Sequence, residues 1–62
     1  MNQPQAQFEI FKDTANQYRF RLRAPNNKTI ATSESYTTKD ACKDTIDAVR
    51  KYAPTAVLQD LT

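Results

Sequence analysis

Apolar and polar positions alternate in two runs near the start of the chain. In residues 7–12, Phe8 and Ile10 share one face. In residues 17–24, Tyr18, Phe20 and Leu22 share one face, and Arg19, Arg21 and Arg23 take the other. A period of two with aromatic and branched residues predicts two strands. Parity then sets how they pair, because opposed residues of an antiparallel pair lie on the same face. Lys12 opposite Tyr18 places Ile10 against Phe20 and Phe8 against Leu22. Glu9 then faces Arg21, and Phe11 faces Arg19. The register leaves a three-residue turn, Thr14-Ala15-Asn16, between Asp13 and Gln17. Such turns end on a left-handed residue, a position Asn tolerates better than most.

The next turn follows the same logic. Pro25-Asn26-Asn27 joins Ala24 to Lys28, with Pro suited to the first central position and Asn27 to the left-handed one. The third strand is expected over about residues 28–33, with Leu22 facing Ile30. A helix follows the polar stretch Ser33-Glu34-Ser35. Thr37 is the expected N-cap, with Asp40 completing a variant capping box and Tyr36 packing on Ala41 as a staple. Cys42, Ile46, Val49 and Ala53 form one helical stripe, broadened by Ala41, Ala48 and Tyr52. Asp40 in the first turn and Arg50 and Lys51 in the last suit the helix dipole. Asp47 and Lys51 form an i,i+4 pair, and Pro54 stops the helix. The tail from Thr55 holds Ala56-Val57-Leu58 and Leu61, enough for a short strand. Residues 1–6 read as a disordered lead, and residues 7–62 as one α+β domain: a three-stranded antiparallel meander, one helix and a short C-terminal strand.

Composition narrows the chemistry. The 62 residues contain no His and no Gly, and a single Cys. Without His there is no Ser-His-Asp triad and no Cys-His dyad. A lone Cys without His does not make the usual zinc site. Without Gly there is no glycine-rich phosphate loop. No catalytic residue, metal or cofactor is therefore assigned. A chain this short buries only about 60% of its unfolded surface. Small domains make up the deficit with disulfides, metals or a partner chain. One Cys excludes an internal disulfide, which leaves oligomerisation or an unusually well-packed core, and of the two a homodimer is expected. The net charge of +2 does not by itself imply nucleic acid. No apolar run is long enough for a membrane helix. Residues 1–6 lack an apolar signal core, and a single unpaired Cys fits the cytoplasm.

Three groups of residues are candidates for function. Arg19, Arg21, Arg23 and Lys28 place four of the nine basic residues within 17–28, with no acid among them. With Phe11 beside them as a stacking platform, they would bind an acidic partner or a nucleic acid. The plainer reading is a solvated sheet face, Glu9 pairing with Arg21 and Phe11 lying under Arg19. Cys42, flanked by Lys39 and Lys43, would be a reactive thiol if exposed. Its place in the Ile46-Val49 stripe favours a small core residue. Asp40, Asp44 and Asp47 are interspersed with Lys39, Lys43, Arg50 and Lys51, the pattern of a soluble outer face. Tyr18, Tyr36 and Tyr52 each have a packing role in this scheme.

The order of motifs resembles the YegP-like family. The residues that carry the resemblance are Phe8-Glu9-Ile10-Phe11-Lys12-Asp13, Tyr18-Arg19-Phe20-Arg21-Leu22 and Ile30-Ala31-Thr32-Ser33-Glu34. Tyr36-Thr37-Thr38-Lys39, Ala41-Cys42-Lys43, Ala53-Pro54 and Asp60-Leu61-Thr62 extend it over nearly the whole chain. The resemblance implies two such units, as a homodimer or a tandem repeat, sharing one sheet with exchanged C-terminal strands. A single-unit chain would then be a homodimer, with Val57, Leu58 and Leu61 at the interface. A partner would bury these few apolar residues, and an exchanged strand would cover an exposed edge. The family has no established activity, so the expectation is a non-catalytic protein acting by interaction. Anion binding on the arginine face and a redox thiol are the alternatives. Glycines common in the family stand here as Asn16, Asn27, Ser35 and Thr45. The two asparagines keep left-handed turns accessible.

Overall fold

Alternation in the first half of the chain becomes a meander. The computed structural model describes residues 5–62. Strands β1 (Gln7–Lys12), β2 (Tyr18–Arg23) and β3 (Thr29–Thr32) form one sheet in the order β1-β2-β3. Helix α1 (Lys39–Tyr52) follows. Most of the expected disordered lead lies outside the described residues; Gln5 and Ala6 are exposed and irregular.

The first hairpin has the register that parity demands, from Gln7 opposite Arg23 to Lys12 opposite Tyr18. Its turn closes through the Asp13 N–H to the Gln17 carbonyl at 2.9 Å and the Asn16 N–H to the Asp13 carbonyl at 3.0 Å. Asp13 Oδ1 also accepts from the N–H groups of Ala15 and Gln17, at 2.9 and 3.0 Å. Asn16 has φ 62° and Asn27 φ 70°, so both asparagines hold the left-handed positions. The second turn has the same closure, Ala24 N–H to Lys28 carbonyl at 2.8 Å and Asn27 N–H to Ala24 carbonyl at 2.9 Å.

Beyond that turn the register departs from expectation. Arg23 pairs with Thr29, but Leu22 pairs with Ala31 rather than Ile30. A bulge at this step sets two residues against one and moves Ile30 out of the ladder, leaving it 62% exposed. β3 is accordingly shorter than residues 28–33. At its end Ser33 ties the sheet together: its N–H donates to the Phe20 carbonyl at 2.8 Å, and its Oγ accepts the Phe20 N–H at 2.9 Å. Tyr36 then returns to the edge of β2, exchanging two backbone hydrogen bonds with Tyr18 at 2.8 and 2.7 Å.

That return shifts the helix start by one residue. With Tyr36 extended beside β2, Thr38 rather than Thr37 is the N-cap, its Oγ1 accepting the Ala41 N–H at 3.1 Å. Ala41 occupies the position where a capping box needs an acceptor side chain, so the box with Asp40 does not form. The expected staple of Tyr36 on Ala41 also loses its positions, since the residues flanking this cap are Thr37 and Cys42. The helix ends with the Ala53 N–H on the Val49 carbonyl, followed by a 3-10 turn over Ala53–Thr55 that contains Pro54. The expected strand after Thr55 does not form in the single chain. An isolated segment has no ladder to join.

The core lies between the Phe8, Ile10, Phe20 and Leu22 face and the inner side of α1. Phe8 and Phe20 meet edge to face at 6.0 Å. Cys42 is completely buried and Phe20 is 7% exposed; no other apolar residue is fully buried among the described residues. Ala41, Thr45, Ile46, Ala48 and Val49 are half-buried. Tyr52 and Ala53 do not extend the buried stripe, because both are exposed where the helix runs past the sheet.

Candidate functional site

The arginine stripe lies on the sheet face opposite the helix, and β1 supplies its counter-charge. Glu9 Oε1 accepts from Arg21 Nε at 2.7 Å and from Arg23 Nε at 2.8 Å. These bonds, first to Arg21 and then to Arg23, hold the Glu9 carboxyl below the usual carboxylate range. Arg19 donates through Nε and Nη2 to the Ser33 carbonyl, at 3.0 and 2.7 Å. Arg23 Nη1 reaches the Asn27 carbonyl at 2.8 Å. Phe11 lies under Arg21, 5.0 Å from guanidinium carbon to ring centre, and not under Arg19 as expected. Arg19 turns toward Ser33 instead, where a single carbonyl oxygen accepts from both Nε and Nη2. Lys28 stands beyond the stripe, opposite Ala24 at the second turn. The structure thus gathers Arg19, Arg21, Arg23 and Phe11 on one face, with every guanidinium engaged inside the chain.

Cys42 is enclosed beneath the sheet, and burial pushes its thiol pKa up. A reactive cysteine needs the opposite shift and an approach for its target, so the reactive-thiol reading of Cys42 fails and the core reading holds. Asp40, Asp44 and Asp47 are exposed. Among the described residues no three acidic or cysteine groups converge on a metal position. The expected Asp47–Lys51 ion pair is not formed; Lys51 instead lies over the Tyr52 ring at 5.4 Å. No helix among the described residues is long and apolar enough to cross a membrane.

Two features escaped sequence reasoning. One is a cavity between β1 and the start of α1, lined by Ile10, Phe11, Lys12, Tyr18, Lys39 and Lys43. The Lys12–Tyr18 pairing and the i,i+4 spacing of Lys39 and Lys43 were legible, but nothing local joins the two pairs. The other is the tie from Ser35 Oγ to Asp13 Oδ2 at 3.0 Å, which fastens the loop before α1 to the first turn. Asp13 has a lowered pKa, chiefly from the Gln17 N–H, with Ser35 and Ala15 adding to it.

The tail is the largest exposed apolar feature. Val57, Leu58 and Leu61 are 88%, 96% and 85% exposed. Asp60 folds the last residues on themselves, accepting from the Thr62 N–H and hydroxyl at 2.9 and 2.6 Å.

Residues 13–60 match the model of a domain of unknown function, DUF1508. The chain belongs to this family. DUF1508 proteins and the related UPF0339 proteins are the YegP-like group that the motif order resembles. A UPF0339 protein of Treponema denticola is 46% identical over 87% of this chain and 93% of its own length. One of Agrobacterium fabrum is 40% identical over 89% of each chain. A relative from Stutzerimonas stutzeri is 45% identical over 47 residues that make up only 42% of its length, so it is more than twice as long as the matched unit. The same fold is seen in two solution structures. A Haloferax volcanii protein superposes with a TM-score of 0.83 at 38% identity, covering 97% of this chain and 98% of its own. An Agrobacterium tumefaciens protein superposes with a TM-score of 0.78 at 36% identity, covering 90% of each.

Proposed function

We propose that this DUF1508 chain is a non-catalytic, cytoplasmic interaction module that works as a homodimer. In this reading each protomer lends its tail, residues 56–62, to the other. The observation that carries the reading is the pairing of exposed Val57, Leu58 and Leu61 with a core in which only two apolar residues are fully buried among the described residues. Surface area supports it. The chain exposes 5415 Å², against about 4,100 Å² for a folded monomer of its mass. A stable interface takes about 800 Å² per partner, which the excess would supply. β1 leaves one edge of the sheet unpaired, and an added strand satisfies such an edge. The Stutzerimonas relative, more than twice the unit's length, has room for two units in one chain. The unpaired Cys42 suits the reducing cytoplasm.

The test is the solution mass at micromolar concentration, by light scattering. Twice the 7.1 kDa chain mass supports the homodimer, and conversion of a Leu58→Asp/Leu61→Asp variant to monomer assigns the tail. A strict monomer overturns the reading. The arginine face is the weaker surface for an acidic partner, because Glu9 and the Ser33 carbonyl already occupy its donors. Salt-dependent binding of single-stranded nucleic acid, lost in Arg21→Ala, would move the assignment there.

A further inference from the structure

The open face of the sheet carries the two materials of a single-strand binding surface, guanidinium charge and an aromatic ring. One side chain blocks both. Glu9 on β1 stands opposite Arg21 in the ladder. Its Oε1 accepts from Arg21 Nε at 2.7 Å and from Arg23 Nε at 2.8 Å. A single carboxylate oxygen thus fills the space between two guanidiniums, the place a phosphate oxygen would take. The same bond fixes Arg21, whose guanidinium carbon lies 5.0 Å from the centre of the Phe11 ring. A base cannot stack on a ring face that a guanidinium already covers. Charge is not cancelled, because three arginines share one carboxylate and Arg19 rests on the neutral Ser33 carbonyl. Nor is the face covered: Glu9, Arg21 and Arg23 keep 31%, 35% and 25% of their side-chain surface open. A strand added at the β1 edge pairs through its backbone and leaves this face free, since side chains stand out of the sheet plane. An internal carboxylate also has the advantage over a dissolved anion, which loses translational freedom on binding.

We propose that Glu9 is an autoinhibitory contact: its carboxylate takes the phosphate position between Arg21 and Arg23, holds Arg21 over Phe11, and so keeps the arginine face closed to single-stranded nucleic acid. The contact lies within one chain and does not depend on the tail. The experiment is a fluorescence anisotropy titration of the full-length chain with a labelled oligothymidylate of about 16 nucleotides, at salt concentrations of about 50 and 200 mM. Amide spectra show that each variant is folded. The parent should bind weakly. Glu9→Gln, which frees two guanidiniums, should bind at least about tenfold more tightly at the lower salt. That advantage should shrink about sevenfold at the higher salt, because each phosphate contact to a single strand adds about 0.7 to the salt slope. Glu9→Thr, neutral and favoured in strands, carries the same expectation where Glu9→Gln folds poorly. Asp44→Asn makes the same change in net charge on an exposed position of α1 and should gain far less. Glu9→Gln/Arg21→Gln should lose most of the gain. The proposal is overturned if the parent binds as tightly as the Glu9 variants, if Asp44→Asn gains as much, or if the double variant keeps the gain. None of these results depends on whether the solution mass is that of one chain or two.

Discussion

Asn16 and Asn27 carry the two turns, with φ of 62° and 70°. Glycine enters that region without strain, and a β-branched residue does not. Asn16→Gly and Asn27→Gly should therefore melt close to the parent, while Val at either position should cost more than about 1 kcal/mol. Thermal melts of the four variants check this, and equal midpoints would refute the turn assignment. Cys42 makes a second prediction at this scale. Its thiol should react with an aromatic disulfide reagent far more slowly in the native protein than in denaturant, because it is enclosed and its pKa is raised by burial. Equal rates would place the sulfur at the surface. Glu9 makes a third. Its pKa is lowered in the fold by Arg21 and Arg23, so the unfolded chain takes up its proton more readily. The stability it contributes is fully present above the ordinary carboxylate pKa and is lost as pH falls through the lower folded value. Asp13 acts in the same direction. The melting temperature should fall below about pH 4. Glu9→Gln should melt lower than the parent at pH 7 and lose less on acidification. An unchanged acid response in that variant would remove Glu9 from the account.

Elements show where local pattern suffices and where it does not. The first hairpin was legible throughout, because alternation, parity and an Asn at the left-handed position all select the same register. The second hairpin kept its expected turn but not its expected pairing. The bulge that moves Leu22 from Ile30 to Ala31 has no signature in parity, since parity assumes an uninterrupted ladder. The helix was legible in type and in its stripe, but its start shifted when the Tyr36 backbone was taken up by Tyr18. Capping provides the check. Thr38→Ala should lower stability by about 1 kcal/mol through loss of the Oγ1 bond to the Ala41 N–H. Thr37→Ala, which removes an exposed side chain outside the cap, should change stability by less than about 0.5 kcal/mol. Denaturant melts with the order reversed would return the cap to Thr37.

At the scale of the whole molecule, a single chain looks unfinished. Its radius of gyration is 13.4 Å, where a compact chain of this length gives about 10.6 Å. The helix rests mainly on β2, and the tail projects its apolar residues into solvent. If folding and pairing are linked in the proposed homodimer, the melting temperature rises with protein concentration. Leu58→Asp should abolish that rise and lower the midpoint, since each buried Leu contributes about 1.5–3 kcal/mol. A midpoint independent of concentration in the parent protein would count against a linked dimer. The candidate site was only half legible at this scale. The arginine stripe is plain in the alternation of β2. The lysine cavity was not, because Lys12 and the Lys39–Lys43 pair are distant in sequence and meet only when α1 crosses the sheet.

Alternation, helical period and turn residues by themselves determined the strands of the meander, the first register, the left-handed asparagines and the helix with Cys42 on its inner stripe. Each follows from steric and burial preferences of residues close in sequence. The tertiary structure alone decided the bulge at Leu22 and Arg23, the cap at Thr38, the Arg21–Phe11 stack, the enclosure of Cys42 and the lysine-lined cavity. Each of these depends on which backbone and side-chain groups compete for the same partners once distant segments meet, and that competition has no local signal.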